Sequence, residues 1–263
     1  MKLTMLGTGN AGVTECYNTC FTIENEGEYL LVDGGGGNGL LKQLKAADIR
    51  WQDIHNVFVT HRHTDHLLGI FWLMRMISNR KEPTGKPVAF YGHGEVIDLV
   101  RTTTMGLFPW EDGLHPDIQL NVLEDGQGFR VIGHRFQAFD IQSVKAKQFG
   151  FTMYYGDGKK LTCCGDESYR DCEREYVQNS TWLLHEAFCL ESEADIFRPH
   201  EKQHSSVKDA CQIAQRLGVE NLLLYHTEET HLADRKTLYT AEGKQHFSGG
   251  LYVPDDLDVL TIG

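Results

Sequence analysis

An apolar run, Val57-Phe58-Val59, leads into Thr60-His61-Arg62-His63-Thr64-Asp65-His66, and an apolar stretch from Leu67 to Ile77 follows at once. No other passage constrains the chain as much. The run reads as a strand and the stretch as a helix, so three histidines and an aspartate crowd a strand-to-helix junction. Such junctions are where α/β folds place their chemistry. His61 and His63 are two apart, so on an extended strand end they point to one side. Asp65 and His66 fall where the chain turns into the helix, and their side chains can swing toward a second point beside the first. Imidazole and carboxylate are ligands that zinc, iron and manganese accept, and the spacing suits two adjacent ions. The blander reading is a surface cluster in a chain with 13 histidines; the junction speaks against it.

The segment His61-x-His63-x-Asp65-His66 resembles the signature of the metallo-β-lactamase-fold hydrolases, and the resemblance runs along nearly the whole chain. Leu6-Gly7-Thr8-Gly9, Asn18 and Leu30-Leu31-Val32-Asp33-Gly34 are similar to the N-terminal strands of the branch containing ribonuclease Z. Cys164-Gly165-Asp166, Leu184-His185-Glu186-Ala187, His204-Ser205-Ser206 and Leu224-Tyr225-His226 follow in that branch's order. The later pieces are short, and they persuade through their order and spacing.

The resemblance implies an α/β fold, a four-layer αββα sandwich. It assigns one metal to His61, His63 and Asp166, and another to Asp65, His66, Asp166 and His226. By itself Asp166 is a turn residue after a glycine, and His226 a histidine at a strand end. In the family a further histidine serves the first metal, a few residues before a Gly-aromatic pair. Here Ser143 or Val144 stands in its place, before Gly150-Phe151. Valine cannot coordinate, and a neutral hydroxyl is a weak ligand. His134, one strand away, is another candidate to reach in, although a surface or core role is commoner for such a histidine. Lys145 or Lys147 could fill space near the vacant position. Fewer than two tightly held metals are therefore expected: zinc first, with manganese or iron as alternatives.

Composition sets wider bounds. A chain of 263 residues with 41% hydrophobic residues can bury a real core, and sandwiches of this size usually form one domain, here 1–263. The sequence has no stretch of about 18 consecutive apolar residues and no signal peptide, which argues against a membrane. Seven cysteines without repeated spacing read as reduced thiols in the cytoplasm, with Cys164 as strand core rather than a ligand. A net charge of −12 repels phosphate backbones. Only Arg75, Arg80, Lys81 and Lys86 form a loose basic cluster, so tRNA is disfavoured as a substrate.

Strands are expected at Lys2 to Leu6, Thr19 to Glu24, Tyr29 to Asp33 and Val88 to Tyr91, then repeatedly from Ile118 to Thr162 with a turn at Gly156-Asp157-Gly158. Helices are expected at Leu40 to Ala46, Glu95 to Thr104 and Ser206 to Leu217. The run Gly34-Gly35-Gly36-Gly37 could cradle phosphate, but no Lys-Ser/Thr follows it, which favours a plain turn. A loop from Met105 to Pro116 could overhang the site. Its Phe108, Pro109 and Trp110 read equally well as lid, substrate wall or local core.

A metal-bound hydroxide attacking phosphorus or carbonyl carbon is the chemistry such a site supports. Asp65 would orient the water or take its proton. The resemblance makes His204 the donor of a proton to the leaving oxygen and Glu186 the acid that orients it; the bland alternative for His204 is an exposed residue opening a helix. Ribonuclease Z enzymes carry a long tRNA-gripping arm between the mid-chain histidine position and the aspartate. Only 22 residues separate Ser143 from Asp166, and no arm fits there. A small-molecule ester is thus the expected substrate, a phosphodiester first and a carboxylic ester, thioester or lactone second. The chain could pair as a homodimer. The remaining alternative is a degenerate metal-binding member that has lost turnover with its missing histidine.

Overall fold

Side chains alternate in direction along the strands, and this period of two decides the layers. The computed structural model describes residues 1–110 and 113–263. One seven-stranded sheet opens with β1 (Lys2–Gly7), β2 (Cys20–Asn25) and β3 (Glu28–Val32), paired antiparallel. It continues in parallel through β4 (Ile54–Phe58), β5 (Val88–Gly92) and β6 (Ile118–Val122). The second seven-stranded sheet holds the antiparallel β7 (Gly128–Val131), β8 (His134–Asp140), β9 (Phe149–Tyr155) and β10 (Lys159–Cys163). Next to them the parallel β11 (Trp182–Glu186), β12 (Asn221–Tyr225) and β13 (Gly250–Tyr252) complete it. The last strand, β14 (Val259–Thr261), returns to pair with β1.

Leu3, Met5, Leu30 and Val32 of the first sheet meet Phe151, Met153, Leu184, Leu223 and Tyr225 of the second in one buried core. Their neighbours in sequence face outward. Leu31 and Val57 pack under the helices α1 (Gly39–Ala46), α2 (Thr64–Ser78) and α3 (Gly94–Leu107). On the far side, Leu183, Leu222 and Leu224 pack with Val177 of the short α4 (Arg174–Val177). After a single turn of helix, α5 (Ala194–Phe197), the helices α6 (Val207–Arg216) and α7 (Arg235–Gly243) add Ala210, Cys211 and Tyr239 to that layer. The result is the αββα sandwich. Cys163 and Cys164 are both buried in these cores. Among the described residues no helix is long and apolar enough to cross a membrane.

The glycine run after β3 is a packing device. A Cβ on Gly34 would lie 2.5 Å from the Ile70 backbone nitrogen. Gly34 N–H donates to His66 C=O at 2.8 Å, and Gly69 N–H to Gly35 C=O at 2.9 Å. The absent side chains let α2 press onto this loop, which fixes the helix start where His66 sits.

Two helix boundaries differ from expectation by three residues. Helix α2 begins at Thr64 rather than Leu67, because His63 C=O accepts from the N–H groups of both His66 and Leu67. Asp65 in this first turn also complements the positive helix end. Met105 to Leu107 belong to α3, while Glu111 and Asp112 of the expected overhanging loop lie outside the described residues. Phe108 lines an apolar groove with Gly36, Leu68 and Trp72. Trp110 meets His115 edge-on at 4.4 Å. Neither lines the histidine cleft.

Candidate metal centre

Six side chains from four strand and helix ends converge at one rim of the two sheets. His61 and His63 follow β4, Asp65 and His66 open α2, Asp166 follows β10 and His226 follows β12. His226 turns off its strand with φ 58°, which carries its ring inward. Two groups of potential ligand atoms result, each lying within 4.8 Å: Asp65, His66, Asp166 and His226, and His61, His63 and Asp166. Asp166 belongs to both. Its Oδ2 is 3.6 Å from His61 Nε2, 3.4 Å from His66 Nε2 and 3.5 Å from His226 Nε2. All of these residues are buried except His63, which is half-buried.

The surrounding side chains leave the right atoms free. His66 Nδ1 is held by Asp33 Oδ2 at 2.7 Å, while its Nε2 is buried without a hydrogen-bond partner and faces two carboxylates. Thr60 Oγ1 donates to Asp33 Oδ2 at 2.7 Å and lies 2.9 Å from His61 Nδ1. This arrangement puts the His61 ring hydrogen on Nδ1 and turns Nε2 into the cluster, 2.8 Å from His63 Nδ1. Gln148 Nε2 donates to Asp166 Oδ1 at 2.6 Å, which leaves Oδ2 for the cluster. Imidazole nitrogens converging on shared carboxylates are a donor set that fits divalent cations.

Reading the sequence did not single out Asp33 or Gln148. For Asp33 the signal was there: a carboxylate ends an apolar strand directly before four glycines. For Gln148 there was none, because only folding brings β9 beside Gly165.

Electrostatics agree with the geometry. Burial pushes the His61 and His63 imidazoles down from their usual value. Burial acts on His66 in the same sense, but Asp65 and Asp33 outweigh it and raise that ring. Burial would also raise Asp65 and Asp166. The histidines around them win instead and hold both carboxyls well below the usual range. The cluster therefore presents carboxylates rather than neutral acids.

At the cleft wall, His204 Nδ1 lies 3.5 Å from Glu186 Oε2, and Glu186 Oε1 accepts from the Ser205 backbone N–H. Phe188 stacks on the His204 ring at 5.0 Å. His204 is buried, not the exposed residue of the bland alternative. The cleft holds about 480 Å³ and is lined by His63, Asp65, Asp166, His204 and His226 together with Arg62 and Lys145.

The mid-chain loop supplies no further ligand. Ser143 Oγ turns to Glu167 Oε1 at 2.5 Å, and Val144 is 70% exposed. His134 does not reach in. It pairs with Val131 in the β7–β8 hairpin and faces Tyr155, at the other end of the sheet from its loops to the cluster. Lys147 pairs with Asp140 at 3.7 Å. Lys145 does reach the cleft.

The model of the family described as anti-Pycsar protein Apyc1 matches residues 1–248. A ribonuclease Z of Thermococcus sibiricus is 23% identical, covering 100% of this chain and 97% of that protein. Among solved structures, the metallo-β-lactamase fold protein YhfI from Bacillus subtilis is similar with a TM-score of 0.80 at 19% identity, covering 99% of each chain. The short form of human tRNase Z gives 0.75 at 23% identity, covering 100% of each. Zn(2+)-bound PqqB from Methylobacterium extorquens gives 0.76 at 15% identity, again covering 100% of each. The motifs, the two sheets and these matches agree: this chain has the metallo-β-lactamase fold and belongs to the anti-Pycsar protein Apyc1 family.

Proposed function

We propose that this chain is a metal-dependent phosphodiesterase of small substrates, and that this activity underlies the anti-Pycsar role in its family's description. One observation carries the reading: two ligand groups share Asp166, and the His204–Glu186 pair stands beside them on the same cleft. Glu186 and His204 also group with His226, which sets the pair at the edge of the cluster where a leaving group would depart.

His61, His63 and Asp166 would hold one cation, and Asp65, His66, Asp166 and His226 the other. Zinc suits this mixture of imidazole and carboxylate, and a protein of the same fold is described as Zn(2+)-bound. Manganese or iron could use the same donors. When bound, such ions lower the pKa of a water from ~15.7 to ~7 and can clamp a transferring phosphoryl group. Asp65 would orient an attacking water or take its proton. His204 gives a proton to the departing oxygen, and Glu186 holds the ring in position for it. Asp33 keeps the His66 hydrogen on Nδ1.

A small phosphodiester is favoured over its rivals. Two relatives of this chain are named as ribonucleases acting on RNA or tRNA, which is phosphodiester chemistry. The hairpin of β9 and β10 leaves no room for an arm between Ser143 and Asp166, and the net charge is −12. A cleft of about 480 Å³ has the size of ordinary small-molecule sites. The unpaired cysteines fit a reducing compartment, and we place the activity in the cytoplasm.

A substrate panel tests the reading. The purified metal-loaded protein is expected to hydrolyse bis(p-nitrophenyl) phosphate faster than lactones or thioesters and to leave pre-tRNA intact. Far faster turnover of an acyl substrate would replace the phosphodiesterase with an acyl hydrolase, and no turnover of any substrate would favour a degenerate member. Asp33→Ala gives a second check. Removing a carboxylate that orients a ligand histidine typically costs about 10–100-fold in metal affinity. Competition against a chelator should show that loss, and an unchanged affinity would remove Asp33 from the site.

A further inference from the structure

We propose that Lys145 is the residue that binds the anionic oxygens of the substrate, which makes the site selective for phosphodiester anions over neutral esters. The inference rests on the phosphodiesterase reading above and names the group that recognises the charge.

The loop from Ile141 to Gln148 is built to present this side chain. Ile141 N–H donates to Gln148 C=O at 3.1 Å and closes the loop base. Gln142 takes φ 56°, and its N–H donates to Asp140 Oδ1 at 2.7 Å. Ser143 Oγ is the hub: it donates to Glu167 Oε1 and accepts from the N–H groups of Lys145 at 3.1 Å and Ala146 at 3.3 Å. Glu167 is buried beside Asp166 and is held in turn by Arg170 at 2.8 Å. The loop is therefore anchored to the segment that carries the shared aspartate.

From this anchor, Lys145 Nζ reaches to 3.4 Å from His204 Nε2, inside the lining of the cleft. An ammonium has three donors and no acceptor, so the contact with His204 leaves two for a ligand. Moving to a phosphate oxygen needs only rotations of the flexible four-carbon stem, and it frees His204 Nε2. The cleft belongs to a protein of net charge −12, whose overall field opposes the approach of a phosphodiester monoanion. A fixed cation on its path offsets that repulsion. Arg62 also lines the cleft, but no hydrogen bond ties its side chain to the His204–Glu186 pair.

The test uses the metal-loaded full chain and inorganic phosphate as the probe, with binding read by titration calorimetry. A charge-assisted hydrogen bond is worth about 1.5–3 kcal/mol, so Lys145→Ala should bind phosphate about 10–100-fold more weakly. Lys145→Arg should restore part of the loss, and metal content should stay unchanged in both. The KM for bis(p-nitrophenyl) phosphate should rise in Lys145→Ala, while hydrolysis of the neutral p-nitrophenyl acetate is untouched. Phosphate affinity that is equal in wild type and Lys145→Ala, or a wild type that binds no phosphate, overturns the proposal. So does an equal loss on the neutral ester, which would mean that removing Lys145 disturbs the site as a whole rather than its recognition of charge. If no phosphodiester is turned over and yet Lys145→Ala weakens phosphate binding, the assigned reaction fails and the anion site stands.

Discussion

Asp166→Ala is expected to leave the protein with no tightly held metal and to lower phosphodiester turnover by at least about 10³-fold. The magnitude follows from losing a water that ionises near ~7 instead of ~15.7. Asp166 is the one residue common to both ligand groups, and its Oδ2 faces His61, His66 and His226 at 3.4–3.6 Å. Without that carboxylate each group loses an anionic ligand, and three buried imidazoles lose the charge between them. The wild type itself is expected to retain fewer than two equivalents. The His61 group has three members where the other has four, and the loop from Ile141 to Gln148 adds none. Elemental analysis after dialysis, with a thermal melt to show that the variant is folded, checks both statements. Metal retained by folded Asp166→Ala, or two fully occupied ions in the wild type, would contradict them.

Asp65→Ala and His204→Ala should both slow the reaction, but by separable routes. Asp65 sits within a ligand group and opens α2, so its loss should reduce metal content together with turnover. His204 stands outside the shared Asp166 cluster and pairs with Glu186. Its loss should leave metal content intact and cost about 10²–10⁴-fold, the usual contribution of general acid catalysis. That deficit should shrink for p-nitrophenolate, a leaving group that needs no proton, and persist for an alkyl alcohol. If His204→Ala strips the metal, or slows good and poor leaving groups alike, then His204 is a ligand or a structural residue.

Much of the fold and of the candidate site was legible before the structure. The unbroken apolar runs Leu30-Leu31-Val32 and Leu222-Leu223-Leu224 imply strands buried on both faces, and the fold uses them that way. The passage from Val57 to Ile77 shows its strand, its junction and its helix, because one short segment contains the apolar run, the polar cluster and the amphipathic stretch. The glycine run was harder to interpret. Its reason is the backbone of α2 at Ile70, a contact between segments that are far apart in sequence.

The sequence by itself determined which residue types can bind a cation and on which strand ends they stand, since those follow from chemical identity and local periodicity. Only the tertiary structure decided how they are held. Asp33 reaches His66 from the end of the adjacent strand, Gln148 fixes Asp166 across the open end of the β9–β10 hairpin, and Lys145 meets His204 from a loop pinned by Ser143 and Glu167. Each of these contacts joins residues 18 or more positions apart. No local pattern encodes such pairs. They arise when burial of the two sheet faces brings the strand ends to one rim and leaves their polar groups to find partners there.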